Sequence, residues 1–326
     1  MANQRKVMLV QGMPAEGRAL LEARDDVLVE ECSNDEVGTL LERLGDVAAV
    51  TLRTTVCDRE FIAAAPNLEV VSRFGVGFDS VDVEALTERG IPLLIAGESN
   101  SRSVAEHAVF LMMALAKRSL YFHGTVQGRR FQERFGTDRE SVELFGKRLL
   151  VIGFGRIGTR TTAICKGLGM AVDVFDPYVE SAVVEQAGAR RVARLEEALP
   201  VADFVTVHCP RNAETEGLID ASALARMKSS AILVNTARGG IIEEAALVDA
   251  LRSGGIRAAG LDVFDAEPPP DDHPLLDLDD VLFSPHVAGI TSESMRAMAE
   301  VTCQNVLDAF DGRIKPAHIV NPEVLE

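Results

Sequence analysis

The chain has 326 residues, a hydrophobic fraction of 47% and a formal net charge of −17. The length suits about two domains, and the composition is that of a globular protein that buries a large core without stapling. The acidic balance argues against nucleic acid and anionic membranes as partners, and the longest apolar run, 108–116, is far too short to span a bilayer.

MANQRK leads directly into Lys6–Val10, which reads as a buried strand with no signal-peptide core before it. Pro14–Arg24 reads as a helix opened by proline. DVLVEE, DEVGTLLERLG and VAAVTLR then read as strand, helix and strand, and DREFIAAAP, LEVVSRFG, VDVEALTERG and IPLLIA continue the alternation to residue 96. This is βαβ organisation around a parallel sheet. QGMP follows the first strand where a dinucleotide turn would need glycines, so this half is expected not to carry the nucleotide. Arg53 and Arg73 fall at predicted strand ends, either as surface arginines or as partners of an anionic group. Residues 101–120 read as one long, mostly buried helix that connects two α/β regions. The polar, Arg-rich stretch 121–142 reads either as a surface arm or as a segment packed on a second subunit.

The second region opens with LLVIGFGRIGTR. Four apolar residues, Leu149–Ile152, run into Gly153, Gly155 and Gly158, and a helical pattern follows. In that setting the glycines have distinct tasks: a sharp turn, close approach to a pyrophosphate, and packing of helix on strand. The helix N-terminus offers N–H groups to the phosphates. The next strand ends in Asp176, 18 residues past Gly158, where a carboxylate accepts hydrogen bonds from ribose hydroxyls and repels a 2′-phosphate. NAD is therefore the expected cofactor, and no metal is expected. LLVI, AVDVF, FVTVHC, AILVNTA, IRAAGLDVF and VLFSPH read as six strands of a doubly wound sheet. A helix over about 291–311 follows and is expected to return to the first half. The expected domains are thus 1–102 with 292–326, for substrate, and 103–291, for NAD. Five scattered cysteines without a CxxC fit a reducing, cytoplasmic location.

Ligands of such sheets sit at the carboxyl ends of the strands. Arg238, followed by two glycines, suits bidentate binding of a carboxylate and carbonyl. His286 suits proton exchange, and Glu267 in DAEPPP suits orientation of its imidazole. Taken singly each has a plainer explanation: a salt bridge, a structural histidine, a solvated loop acid. Together with a dinucleotide site they suggest hydride transfer between a carbonyl and an alcohol.

Over nearly its whole length the chain resembles the D-2-hydroxyacid dehydrogenases, the family that includes D-3-phosphoglycerate dehydrogenase. The resemblance rests on VVSRFGVGFDSVDVEA, SNSRSVAEHA, VIGFGRIG, FVTVHCP, ILVNTARGGIIEEAALVDAL, AAGLDVFDAEPPP and LFSPHVAG. It implies a homodimer of two-domain subunits, a flavodoxin-like substrate domain and a Rossmann NAD domain with a cleft between them. It implies Arg238 on the substrate carboxylate and carbonyl, His286 as general acid/base and Glu267 as its partner. The backbone of Gly75, Val76 and Gly77 would hold the carboxylate. Arg156 and Ile157 would line the pyrophosphate turn, and Cys209, Thr236, Ala237, Asp262 and the segment from His286 to Gly289 the rest of the NAD site. The chain stops soon after its last helix, so the regulatory domain of many phosphoglycerate dehydrogenases is not expected. Arg53 and SNSRSVAE resemble the phosphoglycerate enzymes, while glyoxylate and hydroxypyruvate stay open as substrates. Glu267 argues against a formate dehydrogenase, which carries Gln there. A phosphite-type dehydrogenase and an NADH-sensing corepressor of the C-terminal binding protein type are the alternatives.

Overall fold

The computed structural model describes residues 4–135 and 140–326. They form two compact units, Met1–Asn100 with Ile290–Glu326, and Ser101–Gly289. Each is a parallel sheet covered by helices.

In the first unit β1 (Arg5–Val10), β2 (Val27–Cys32), β3 (Val47–Leu52), β4 (Val70–Arg73) and β5 (Leu93–Ile95) lie in the order β2-β1-β3-β4-β5. This is the flavodoxin-like order, with its switch point between β1 and β3. Every residue of β3 is buried, as a strand covered on both faces requires. Helices α1 (Ala15–Glu22), α2 (Arg59–Ala64) and α3 (Val83–Glu88) come from the N-terminal segment. DEVGTLLERLG forms 3-10 turns over Asn34–Arg43 instead of the expected α-helix. Gly38, flanked by β-branched Val37 and Thr39, is a poor α-helical centre.

The second unit starts with α4 (Ser101–Ala116) and α5 (Ser119–Gln127), so the single helix expected over 101–120 is broken. The break is at Arg118, whose backbone is left-handed (φ 48°) and whose guanidinium donates to Asp280 at 2.8 Å. Beyond α5 a 3-10 turn spans Phe131–Phe135, and residues 136–139 of the expected arm lie outside the described part. The sheet contains β6 (Arg148–Ile152), β7 (Ala171–Phe175), β8 (Arg190–Arg191), β9 (Phe204–Val207), β10 (Ile232–Asn235), β11 (Ala258–Leu261) and β12 (Val281–Phe283), with α6 (Arg156–Gly167), α7 (Ser181–Gln186), α8 (Leu195–Ala198), α9 (Ala221–Arg226) and α10 (Glu244–Arg252) between strands. The order is β12-β11-β10-β9-β6-β7-β8, with its reversal between β6 and β9. Seven strands stand where six were expected. The extra edge strand, β8, has no apolar run to announce it; Arg190 is held by a two-point ion pair to the buried Asp173 of β7, at 2.7 and 2.8 Å.

Helix α11 (Ser292–Phe310) belongs to the first unit. Thr291 caps it, accepting from the Ser294 N–H. It packs on α1 so closely that a Cβ on Gly17 would lie 2.5 Å from the Ala299 carbonyl oxygen.

Register sets where the loops emerge. In the second sheet Ile152 pairs with Phe175 and Val207, Asn235 with Val207 and Leu261, and Leu261 with Phe283. The next residues, Gly153, Asp176, His208, Thr236, Asp262 and Ser284, therefore share one edge. In the first sheet Val10 pairs with Cys32, Leu52 with Arg73 and Arg73 with Ile95, which brings Gln11, Arg53 and Phe74 to the equivalent edge.

Candidate active site

At the edge of the second sheet, β6 passes through Gly153 (φ 92°) into α6, for which Gly155 is the N-cap. A Cβ on Gly153 would sit 2.6 Å from the Cys209 nitrogen, and one on Gly158 only 2.0 Å from the Gly153 carbonyl oxygen. A Cβ on Gly155 would meet nothing within 4 Å. Two glycines are thus demanded by the protein's own packing, while the third keeps space clear above the turn at the start of α6. Arg156 and Ile157 open that helix. Asp176, just past β7, accepts from the Phe154 N–H (2.7 Å) with one carboxylate oxygen and from the Tyr178 N–H (2.9 Å) with the other. It thereby braces the glycine turn from the neighbouring strand.

Beside the turn, Cys209 is partly exposed, and burial of its sulfur pushes the thiol up to about 11. Thr236 is buried, and neither its hydroxyl nor Nδ1 of His208 finds a hydrogen-bond partner among the described residues. Buried polar atoms left without partners next to a cleared turn are what a bound polar ligand would satisfy. Together with Gly155 they fit a dinucleotide.

Arg238 lies in a turn closed by Asn235, whose side chain accepts from the Ala237 N–H (2.9 Å) and donates to the Arg238 carbonyl (2.8 Å). Arg238 Nη1 donates to the Ala237 carbonyl at 2.7 Å. His286 follows β12 with a left-handed backbone (φ 54°). Such strain in a non-glycine residue persists only where its surroundings hold it, and here they do. The His286 N–H donates to the Asp262 carbonyl (2.8 Å), while the Asp262 carboxylate, 1% exposed, accepts from the N–H groups of Val287 and Ala288, both at 2.9 Å. Ser284 also donates to it, at 2.6 Å, and accepts from His107 Nε2 of α4 at 2.8 Å. Gly289, which follows this segment, is half-buried.

His286 Nδ1 donates to Glu267 Oε2 at 2.7 Å. The other carboxylate oxygen accepts from the Phe264 N–H at 3.2 Å. Burial favours the neutral form of Glu267, but the His286 hydrogen bond and charge, the Phe264 N–H and the charge of Arg238 outweigh it and hold the carboxyl below its ordinary range. An ionised Glu267 can only accept, so the proton is on Nδ1. Nε2 is left as the imidazole's other exchange site, on a side chain that is 48% exposed.

At the edge of the first sheet, Arg53 Nη1 donates to the Gln11 carbonyl at 3.1 Å, and its guanidinium lies 5.3 Å from the centre of the Phe74 ring. Arg73 Nη1 donates to the carbonyls of Leu52 (3.2 Å) and Phe74 (2.6 Å). Gly75 (φ 144°) sits over that guanidinium, with Val76 and Gly77 following half-buried.

Residues 109–288 match the model of the D-isomer specific 2-hydroxyacid dehydrogenase family, NAD binding domain. The chain belongs to this family. Its members are NAD-dependent oxidoreductases, and NAD is the cofactor of the matched domain. A D-3-phosphoglycerate dehydrogenase of Methanocaldococcus jannaschii is 38% identical over 305 residues; the match covers 91% of this chain but only 57% of that protein. A glyoxylate reductase of Korarchaeum cryptofilum is 34% identical over 324 residues, covering 98% of this chain and 97% of that one. The crystal structure of a D-lactate dehydrogenase from Aquifex aeolicus, complexed with NAD and lactic acid, superposes with a TM-score of 0.87 at 25% identity, over 97% of this chain and 99% of that chain.

Three groups of this chain escaped the sequence argument. Asp265 accepts from the Gly240 N–H at 2.5 Å and so ties the Arg238 turn to the Glu267 loop. Glu244, at the start of α10, accepts from the Asp265 N–H (2.8 Å) and from His273 Nε2 (2.9 Å). Gln11 is the third. Asp265 and Glu244 sit in acidic surroundings that read as solvated loop and helix cap, so only the fold distinguishes them.

Proposed function

We propose that the chain transfers hydride between NAD and a small D-2-hydroxy acid or its 2-oxo acid. The observation that carries this is the 2.7 Å bond from His286 Nδ1 to an ionised Glu267, which leaves Nε2 of an oriented imidazole for proton exchange. NAD, when bound, supplies or accepts the hydride at the 2-carbon. The chain's own groups do the rest. His286 gives the proton to the 2-oxygen in reduction and takes it in oxidation. Arg238 binds the carboxylate and offsets charge developing on that oxygen. Gly153, Gly155, Arg156, Ile157 and Gly158 hold the pyrophosphate and Asp176 the adenosine ribose. Cys209, Thr236, Ala237, Asp262 and Gly289 line the remainder of the NAD site, which belongs to Ser101–Gly289. Met1–Asn100 with Ile290–Glu326 carries further substrate groups, among them the backbone of Gly75, Val76 and Gly77 for the carboxylate.

Within that scheme Arg53 takes a second anionic group of the substrate. Its single hydrogen bond among the described residues is to a carbonyl, and no carboxylate there pairs with it. Arg73 by contrast is committed to the carbonyls of Leu52 and Phe74 and braces Gly75. This favours a phosphorylated acid of the 3-phosphoglycerate type over glyoxylate. A homodimer is the proposed assembly in a cytoplasmic setting, because Leu120, Val126, Phe131 and Phe135 leave apolar side chains more than half exposed along α5 and the turn after it. The test is NADH oxidation with 3-phosphohydroxypyruvate, hydroxypyruvate, glyoxylate, pyruvate and 2-oxoglutarate, repeated with NADPH. Preference for the phosphorylated acid supports the assignment, and preference for glyoxylate would make it a glyoxylate-type reductase. NADH binding without turnover would favour a sensor of NADH.

A further inference from the structure

We infer that Gln11 is a specificity-determining residue that sets Arg53 for the phosphoryl end of the substrate, an inference that rests on the reading of Arg53 above. Gln11 occupies the residue after β1, at the switch point of the first sheet. Its backbone is left-handed (φ 66°), and Gly12 continues in the same region (φ 79°). Two successive left-handed residues, the first a glutamine, form an outlier that surrounding contacts must sustain.

Those contacts use every polar group that Gln11 has. Its N–H donates to the Cys32 carbonyl at 2.7 Å, fastening the turn to the end of β2. Its side-chain oxygen accepts from the N–H groups of Thr54 (2.8 Å) and Thr55 (3.0 Å), fixing the two residues after Arg53. Its side-chain nitrogen donates to the Thr54 hydroxyl (2.8 Å) and to Asn34 Oδ1 (3.2 Å). Its carbonyl, turned by the left-handed backbone, accepts from Arg53 Nη1 at 3.1 Å. One residue therefore clamps both the backbone that carries Arg53 and the guanidinium itself. Phe74 supplies the other constraint, a ring 5.3 Å from the guanidinium carbon. A guanidinium fixed in this way offers its remaining N–H groups to an anion without first losing rotamer freedom, which lowers the cost of binding.

The fixed group is specific to one end of the ligand. Among the described residues, the hydrogen bonds of Gln11 go to Cys32, Asn34, Arg53, Thr54 and Thr55 and not to Gly75, Val76 or Gly77. Loosening it should weaken binding of a phosphorylated acid while leaving the same acid without its phosphoryl group much less affected.

The experiment measures kcat and KM with NADH for 3-phosphohydroxypyruvate and hydroxypyruvate, which differ only in that group. The proteins are the 326-residue chain and its Gln11→Gly, Gln11→Glu and Arg53→Ala variants. Gln11→Gly keeps the left-handed turn without strain, and with it the main-chain carbonyl that meets Arg53, but removes the side-chain clamp on Thr54, Thr55 and Asn34. Gln11→Glu keeps an acceptor for Thr54 and Thr55 and sets a negative charge beside Arg53. In both, the ratio of kcat/KM for the phosphorylated over the unphosphorylated acid should fall by about tenfold, through KM. Arg53→Ala should lower it at least as far. If Arg53→Ala lowers the ratio and both Gln11 variants keep it, Gln11 does not set Arg53 and the inference fails alone. Equal losses for both acids in the Gln11 variants would reduce Gln11 to a brace of the fold, which also overturns it. An unchanged ratio in Arg53→Ala would remove the reading of Arg53 and the inference with it. Melting temperatures of the variants identify any loss due to unfolding, and the two Gln11 substitutions guard against one of them failing to fold.

Discussion

The two sheets obey one grammar and finish their edges differently. Both are parallel and doubly wound, and both present loops at the carboxyl ends of strands in close register. After β6 stand glycines, and a Cβ on Gly155 would meet nothing within 4 Å. After β1 stands Gln11, with each of its polar groups engaged. The glycine edge clears space and offers backbone N–H groups to a large anion. The glutamine edge fills space and holds the Arg53 guanidinium, proposed above to take a small one. On the proposed roles, a doubly wound sheet fixes where a ligand goes and the residue after the switch-point strand its kind. Changes at the second edge should therefore act on turnover and cofactor, and changes at the first on KM for the acid.

The largest effect belongs to the second edge. His286→Ala should lower kcat by about a hundredfold or more while NADH still binds; steady-state turnover with fluorescence titration of NADH checks both halves. Unchanged kcat would remove His286 from the chemistry. Next comes Gly158→Ala. Its Cβ would sit 2.0 Å from the Gly153 carbonyl, so strand and helix must part. Loss of NADH binding and about 2 kcal/mol or more of stability are expected from such overpacking. Denaturant unfolding of the apo protein gives the second number, and a wild-type midpoint with wild-type NADH affinity would show that the turn is slack.

Asp265→Ala should cost about tenfold in kcat, because the Gly240 N–H loses its acceptor and the Arg238 turn comes free of the Glu267 loop. A structural role alone would lower the melting temperature without moving kcat at permissive temperature. At the first edge, Arg73→Ala should raise KM for every acid by several-fold, about the worth of one lost brace under Gly75. A change confined to phosphorylated acids would instead exchange the roles proposed for Arg53 and Arg73.

What could be read from the chain follows from how local each signal is. The glycine turn and Asp176 are spaced by one βαβ unit, and the strands are continuous apolar runs, so both sheets were legible. So was α11, marked by Thr291 at its start. β8 was not, because two arginines become a strand only through an aspartate 17 residues away. The break at Arg118 likewise depends on Asp280, 162 residues on. Glu267 and His286 stand 19 residues apart with no periodicity to link them, and it was their places after predicted strands beside a dinucleotide site, with the family motifs, that drew attention to the pair. Gln11 looked like the absence of a motif, since QGMP shows no glycine pattern and its hydrogen bonds reach residues 23 and 43 positions away.

The smallest expected effect sharpens the account of the second edge. Glu267 titrates below its ordinary range in the folded protein, because the His286 hydrogen bond and its other partners outweigh burial. In the unfolded chain it returns to about 4.3. A carboxyl depressed by folding contributes stability that is present above the unfolded value and is lost as pH falls through the folded one. Glu267→Gln keeps one acceptor oxygen, for His286 Nδ1, gives up the acceptor of the Phe264 N–H and has no charge to lose. The difference in melting temperature between the native chain and this variant should therefore be steady near neutral pH and shrink as pH drops through the carboxylate range. It should be modest, since both side chains are partly open to solvent, at 38% and 48%. A gap that stays constant down to acid pH would mean that the carboxylate of Glu267 gains nothing from His286 in the apo protein, and that the pair is drawn together for chemistry alone.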